Sequence, residues 1–157
     1  MNTSPENLVI RCARESDLPA LAAMFAADEL GGHGDTTDVS ALPDYLSAFH
    51  AIEQSSNETL YVAELDGEVV GTFQTVILTK LVGRGATSMK IEAVQTRYDM
   101  RGRGIGAIMI RYCIDDAQKR GVKNIQLISN MMRVDAHRFY DRLGFEKRHF
   151  GFSMALK

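Results

Sequence analysis

Residues 98–107 read "YDMRGRGIGA", and between Arg101 and Gly106 three glycines and two arginines fall within six positions. The segment before it, "TSMKIEAVQT" (87–96), has the composition of a strand. After it Ile105, Ile108, Met109 and Tyr112 recur at helical spacing. The stretch is therefore a strand-to-helix turn. Glycine costs chain entropy and neighbouring arginines repel each other, so this composition needs a reason. Such a turn can curl successive backbone N–H groups into one concavity, with the positive end of the next helix dipole behind them. Arg101 and Arg103 add charge and donor forks, which suits a phosphate-bearing ligand, most naturally a diphosphate. The same glycines also suit a plain tight turn with solvated arginines, and their spacing alone leaves both readings open.

Two common phosphate loops can be tested. A P-loop needs a lysine and a hydroxyl residue in register, and neither stands there. Gly102, Gly104 and Ala107 satisfy the dinucleotide fingerprint, but the acidic residue expected after the next strand is missing: "IQLISN" ends in Ser129 and Asn130. The chain that follows is too short to complete a dinucleotide-binding fold.

Working outward, "NLVIRCA" (7–13) reads as a strand. A helix follows with Ser16 or Asp17 as N-cap and Leu18, Leu21, Ala22 and Phe25 on one face. "GGHGDTTD" (31–38) is a loop, and "SALPDYLSAFHAIEQ" resumes helical periodicity. "ETLYVAEL" and "EVVGTFQTVIL" flank Asp66-Gly67, a dipeptide that favours a type I′ hairpin. "KLVGRGA" is a looser turn before the strand at 87–96. The helix after the glycines closes at Lys119-Arg120-Gly121, cations followed by a C′ glycine. "VKNIQLIS" (122–129) is a short buried-type strand, and "RVDAHRFYDRLG" a last helix with Ala136, Phe139, Tyr140 and Leu143 on one side. "FEKRHFGFSMALK" reads as one or two final strands. The order predicts an α+β protein with one β–α–β crossover late in the chain.

Composition sets the class. The 157 residues fit a single domain, residues 1–157, able to bury a core without disulfide or metal support. A net charge of −2 gives no basic field for nucleic acid. No apolar run approaches the ~20 residues that span a bilayer. The start, "MNTSPENLVIRCARESD", lacks the basic head and apolar centre of a secretory signal, so a cytoplasmic location is expected. Cys12 and Cys113 form no disulfide framework, and His33, His50, His137 and His149 have no metal-ligand spacing.

Three segments together resemble the GNAT superfamily of acyl-CoA-dependent N-acyltransferases. "RGRGIG", as R-x-x-G-x-G (Arg101, Gly104, Gly106), looks like that family's pyrophosphate loop, "MKIEAVQT" like its fourth strand, and "HRFYDRLGF" (137–145) like its last helix. The resemblance implies a GNAT-like mixed, mostly antiparallel sheet of about six to seven strands with about four helices, and acetyl-CoA as cosubstrate without a metal. It implies that the loop from Arg101 through Gly102, Arg103, Gly104 and Ile105 to Gly106 holds the CoA diphosphate. The strand end at Val94, Gln95 and Thr96 would pair with the pantetheine arm, and Asn130 would help to hold it or else cap the last helix. The family often bulges this strand, at a place the sequence does not reveal. Glu92 matches the family's general base and Tyr140 its general acid, although a solvent-facing carboxylate and a core aromatic would look the same.

The family's acceptor entrance falls on residues 28–45, where Asp28, Glu29, Asp35, Asp38 and Asp44 would favour a cationic amine over an anionic one. An ordinary solvated loop would look the same. The expected reaction is acetyl transfer to a primary amine of a small molecule by direct attack in a ternary complex. Peptide amines remain an alternative, as does a CoA-binding regulatory module with little turnover. A homodimer is the carried-over expectation for assembly, with neither nucleic acid nor membrane as partner.

Overall fold

In a computed structural model the chain is described at residues 5–31 and 33–156. Of the segments read above, Met1 to Ser4, Gly32 and Lys157 lie outside the described residues. Contacts cluster in two units, one running to Gln126 and the other from Leu127 onward.

The first unit begins with β1 (Leu8–Cys12), α1 (Leu18–Ala26), α2 (Leu42–Gln54), β2 (Glu58–Leu65) and β3 (Glu68–Thr79). There follow a single kinked turn, α3 (Val82–Gly85), then β4 (Thr87–Thr96), α4 (Ile105–Lys119) and β5 (Asn124–Leu127), which reaches the boundary. The strands form one sheet in the order β1-β2-β3-β4-β5. β1 to β4 are antiparallel neighbours. At the start of β5 the Lys123 amide donates to the Thr87 carbonyl at 3.0 Å, start against start, which is the parallel sense.

Both faces of the sheet are covered. Tyr61 pairs with Phe73 and Ala63 with Gly71, placing these four on one face. There the Tyr61 ring stacks on Phe73 at 4.9 Å and meets Tyr112 of α4 edge-on at 5.2 Å. Gly71 is glycine because a Cβ would come within 2.9 Å of the Met109 sulfur, so α4 packs directly on the strand backbone. On the opposite face Val62 joins Leu18, Leu21 and Phe49 in the core shared with α1 and α2. Full burial of each such side chain contributes about 1.5–3 kcal/mol.

Local signals formed as read. Asp66 (φ 50°) and Gly67 (φ 83°) make the tight β2–β3 turn. The start of α1 differs in detail: Asp17 ends a short 3-10 turn and puts no side-chain cap on α1. Its carboxylate instead accepts from the Arg14 amide at 2.7 Å and from both terminal nitrogens of Arg11, at 2.7 and 2.9 Å. Arg11 also donates to Glu64 at 2.7 Å, tying β1 to β2.

The second unit contains α5 (Val134–Arg142) and the segment after it. Ala136, Phe139, Tyr140 and Leu143 are all half-buried, the apolar side the sequence predicts. The final strands do not form. Residues 146–156 are exposed and hold no strand, so the described residues contain five strands instead of six to seven. The apolar alternation there is strand-like, but a strand exists only when its backbone groups find a partner, and within this chain they have none among the described residues.

Candidate active site

The site starts from an irregularity in β4. Glu92 pairs with Gln74 and Gln95 with Thr72, so Ala93 and Val94 together oppose Phe73 alone. This is a β-bulge, and Ala93 adopts φ 51°, a left-handed conformation that costs a residue with a Cβ about 1–2 kcal/mol. Alanine has the smallest side chain that could carry it other than glycine. Glu92 and Ala93 are exposed, whereas Val94, Gln95 and Thr96 are half-buried. β5 has only four residues and starts level with Thr87, so it runs out near Ile91. The end of β4 thus continues past its neighbour just where the bulge turns it.

Beyond Thr96 the chain makes a 3-10 turn, Tyr98–Met100, anchored by the buried Met100. Arg101 is extended, and Gly102 (φ 78°) and Gly104 (φ 80°) then take left-handed conformations before α4 begins. A Cβ at either glycine would meet nothing within 4 Å, so the space in front of the loop is open. Ile108 makes the first helical bond, donating to the Gly104 carbonyl at 3.1 Å. The amides of Ile105, Gly106 and Ala107 precede it and have no helical carbonyl to bond. Ile105 is 1% exposed and pins this end of α4 to the core. These amides lie at the positive end of the α4 dipole.

The arginines divide. Arg97 is held by Asp99 at 2.7 Å and Glu68 at 3.1 Å, and those bonds raise its pKa. Arg101 is exposed; its Nε donates to the Thr96 carbonyl at 3.3 Å and its guanidinium lies 5.4 Å from the Tyr98 ring centroid. Arg103 is exposed. Beside the loop lies a cleft of about 440 Å³, walled by Ala23 and Met24 of α1, by Ala27 just after it, and by Thr96, Tyr98 and Arg101. Sequence reasoning missed this cleft. Its one signal was the small residues Ala20, Ala23 and Ala27, which repeat on one side of α1.

Beyond the end of α1, Gln95 turns its amide to Asp28, donating at 2.8 Å and joining that segment to β4. Tyr45 donates to Asp35 at 2.8 Å and accepts from the Thr36 amide at 3.2 Å. The Asp38 carboxylate accepts from the Ser40 amide at 2.9 Å, a bond that holds its pKa low. Two of the five acids thus shape the loop itself.

Asn130 and Tyr140 belong to the second unit. Asn130 is exposed; its side chain accepts from the Met132 amide at 2.9 Å, and its carbonyl lies 2.9 Å from His137 Nε2. The helix N-cap is Arg133, so Asn130 shapes the turn before α5 without capping it. The Tyr140 ring meets Phe139 at 5.1 Å and Phe145 at 5.7 Å, both edge-on. The structure brings Glu92, Val94 to Thr96 and Arg101 to Gly106 together around one strand end.

Other nucleophiles and ligands are poorly placed. Cys113 is fully buried, and that burial pushes its thiol up to about 12, which removes it as a thiolate nucleophile. Among the described residues no three His, Cys, Asp or Glu side chains group as a metal site, and no helix is long and apolar enough to cross a membrane.

A mixed sheet whose bulged fourth strand feeds a glycine turn and a helix N-terminus sets the fold class. The sequence pattern of the Acetyltransferase (GNAT) family matches residues 24–145, and the chain belongs to that family. It is similar to an aminoalkylphosphonate N-acetyltransferase of Salmonella typhimurium, 40% identical over 57 residues, 36% of this chain and 37% of that protein. The matched part thus spans little more than a third of that relative's length. A transcriptional regulator from Bacillus halodurans C-125 shares its structure with TM-score 0.91 and 36% identity, over 95% of this chain and 99% of that one. The glucosamine-6-phosphate N-acetyltransferase of Arabidopsis thaliana, 18% identical, shares the fold with TM-score 0.79 over 97% of this chain and all of that one.

Proposed function

We propose that this protein is an N-acetyltransferase that moves acetyl from acetyl-CoA to a primary amine of a small molecule, by direct attack in a ternary complex. The observation that carries the reading is the bulge at Ala93 leading into the Gly102–Gly104 turn. It combines a strand end that stays paired with β3 but runs past β5 with the amides of Ile105, Gly106 and Ala107, which have no helical partner, one suited to an amide-bearing arm and the other to a diphosphate. CoA carries both groups and, as its acetyl thioester, supplies the activated acyl carbon.

The chain's own residues then take these roles. The amides from Arg101 to Gly106 hold the diphosphate, with Arg101 and Arg103 adding charge. Val94 and Thr96 present backbone groups to the pantetheine arm, and the family resemblance gives Asn130 a share in holding it. A lysine-like amine is neutral in only about one molecule in a thousand at pH 7, a cost of about 4–5 kcal/mol without a base. Glu92, exposed beside the bulge, takes that proton, directly or through water. Tyr140 donates its phenolic proton to the departing thiolate. The acidic residues between Asp28 and Asp44 favour a cationic acceptor.

A second reading has one observation behind it. The Bacillus halodurans structure is that of a transcriptional regulator and aligns over almost its whole length, which suits a CoA-binding module with little turnover. Free-thiol release across free amino acids, polyamines, aminoglycosides, aminophosphonates and short peptides separates the readings. The enzyme releases thiol with at least one small amine. Release with peptides alone moves the assignment to a peptide acetyltransferase. A thermal shift with acetyl-CoA but no release across the panel favours the regulatory module. At ~100 times its dissociation constant acetyl-CoA adds about 2.7 kcal/mol of stability, and no shift at all contradicts both readings.

A further inference from the structure

The two faces of β4 differ where Glu92 stands. Ile91 pairs with Thr75 on the face that α4 covers, and Met89 lies on that face two residues away. All three side chains are buried. The alternate residues, Lys90 and Glu92, pair with Val76 and Gln74 and point the other way. On this second face Lys90, Val76 and Gln74 are half-buried and Glu92 is exposed. β4 runs between β3 and β5, so Lys90 is a cation on a central strand, a place where lysine is depleted.

No ion pair accounts for it. Two carboxylates share its face: Glu92, two residues along the strand, and Glu58, which pairs with Val76 from β2. Strand rise puts Glu92 ~6.6 Å from Lys90 and strand spacing puts Glu58 ~9.6 Å from it, measured at the backbone. Among the described residues neither forms an ion pair with Lys90. The lysine stem lies beside Val76, and its ammonium faces outward next to the proposed base.

This charge bears on the choice of acceptor. Of the acids that would attract a purely cationic amine, Asp28 accepts from Gln95, Asp35 from Tyr45 and Asp38 from the Ser40 amide. A diamine at Glu92 would bring a second ammonium up to Lys90, where like charges repel. An amine that carries an acid group a few bonds away instead meets an opposite charge at each end.

We infer that Lys90 is a specificity-determining residue, whose ammonium holds the acid group of a small zwitterionic acceptor while the acceptor's amine meets Glu92. The inference rests on the acetyl-transfer reading above and narrows its substrate class.

Acetyl transfer to β-alanine, 2-aminoethylphosphonate, β-alaninamide and putrescine is the test. It is run on the full chain, on Lys90→Met, which keeps the stem, and on Lys90→Arg, which keeps the charge. The wild type favours the acid-bearing amines at least about tenfold in kcat/KM over the amide and the diamine. Lys90→Met raises KM for the acids about 10–100-fold and abolishes the preference, and Lys90→Arg restores most of it. A lead for either acid, carboxylate or phosphonate, supports the inference. A wild type that takes the amide or the diamine as readily as the acids overturns it and leaves the enzyme reading standing. A preference that survives in Lys90→Met overturns it too. Should no acceptor release thiol, the enzyme reading fails alone, and calorimetric titration of β-alanine into the CoA-loaded protein decides. Binding at least about tenfold tighter than that of β-alaninamide, and lost in Lys90→Met, upholds Lys90 as the anion contact. Equal or absent binding overturns the inference.

Discussion

Tyr140 is half-buried, its ring edge-on to Phe139 and Phe145, and the proposed mechanism gives its hydroxyl the role of proton donor. Replacing it by phenylalanine keeps the packing and deletes only the proton donor. Tyr140→Phe should lower kcat by about 10²–10⁴-fold while leaving the acetyl-CoA thermal shift in place. Unchanged turnover would remove Tyr140 from the mechanism. Glu92→Gln separates from it by pH. The loss is largest at low pH, where the acceptor amine is most fully protonated, and a loss of equal size across pH would assign the base elsewhere.

At the scale of elements, β4 decides whether there is a site. Its bulge holds Ala93 at a positive φ that a β-branched residue tolerates badly. Ala93→Val should destabilise by about 1–2 kcal/mol and Ala93→Gly should be neutral or stabilising, read as melting temperatures. Equal melting temperatures for all three would mean that the strand runs straight. The bulge was not legible in "MKIEAVQT", because it comes from a register mismatch with β3, and nothing in one strand reports the register of its neighbour. The glycine turn was legible because its conformational demand is local: Gly102 and Gly104 supply the positive φ themselves. Asp66-Gly67 was legible for the same reason. The terminal strands were misread because alternation reports a strand's faces and says nothing of its partner. The cleft beside α1 escaped for a related reason, since its walls come from segments far apart in sequence.

At the scale of the whole molecule, the ion network of Arg11, Asp17 and Glu64 fastens the first strand to the helix entrance and to β2. Burial by itself pushes the Asp17 carboxyl up, but bonds from Arg11 and from the Arg14 amide outweigh it, and the net pKa is lowered. A carboxyl lowered in the folded state stabilises above its unfolded pKa of about 3.9 and loses that stability as pH falls through the lower folded value. Asp17→Asn should therefore cost about 2–3 kcal/mol in urea unfolding at pH 7, because it leaves the partly buried Arg11 with Glu64 as its remaining carboxylate partner. The gap to wild type should narrow below about pH 4. A gap that stays constant with pH would mean that the carboxylate's charge is not what matters there.

The proposed function requires main-chain amides at the mouth of α4 to grip a CoA diphosphate. Titration of ¹⁵N-labelled protein with acetyl-CoA, followed by amide chemical shifts, observes those amides directly. Saturable shifts at Gly102, Gly104, Ile105 and Gly106, with Val94 and Thr96 moving in step, are the predicted result. Saturation that moves other amides and leaves these six in place would contradict it.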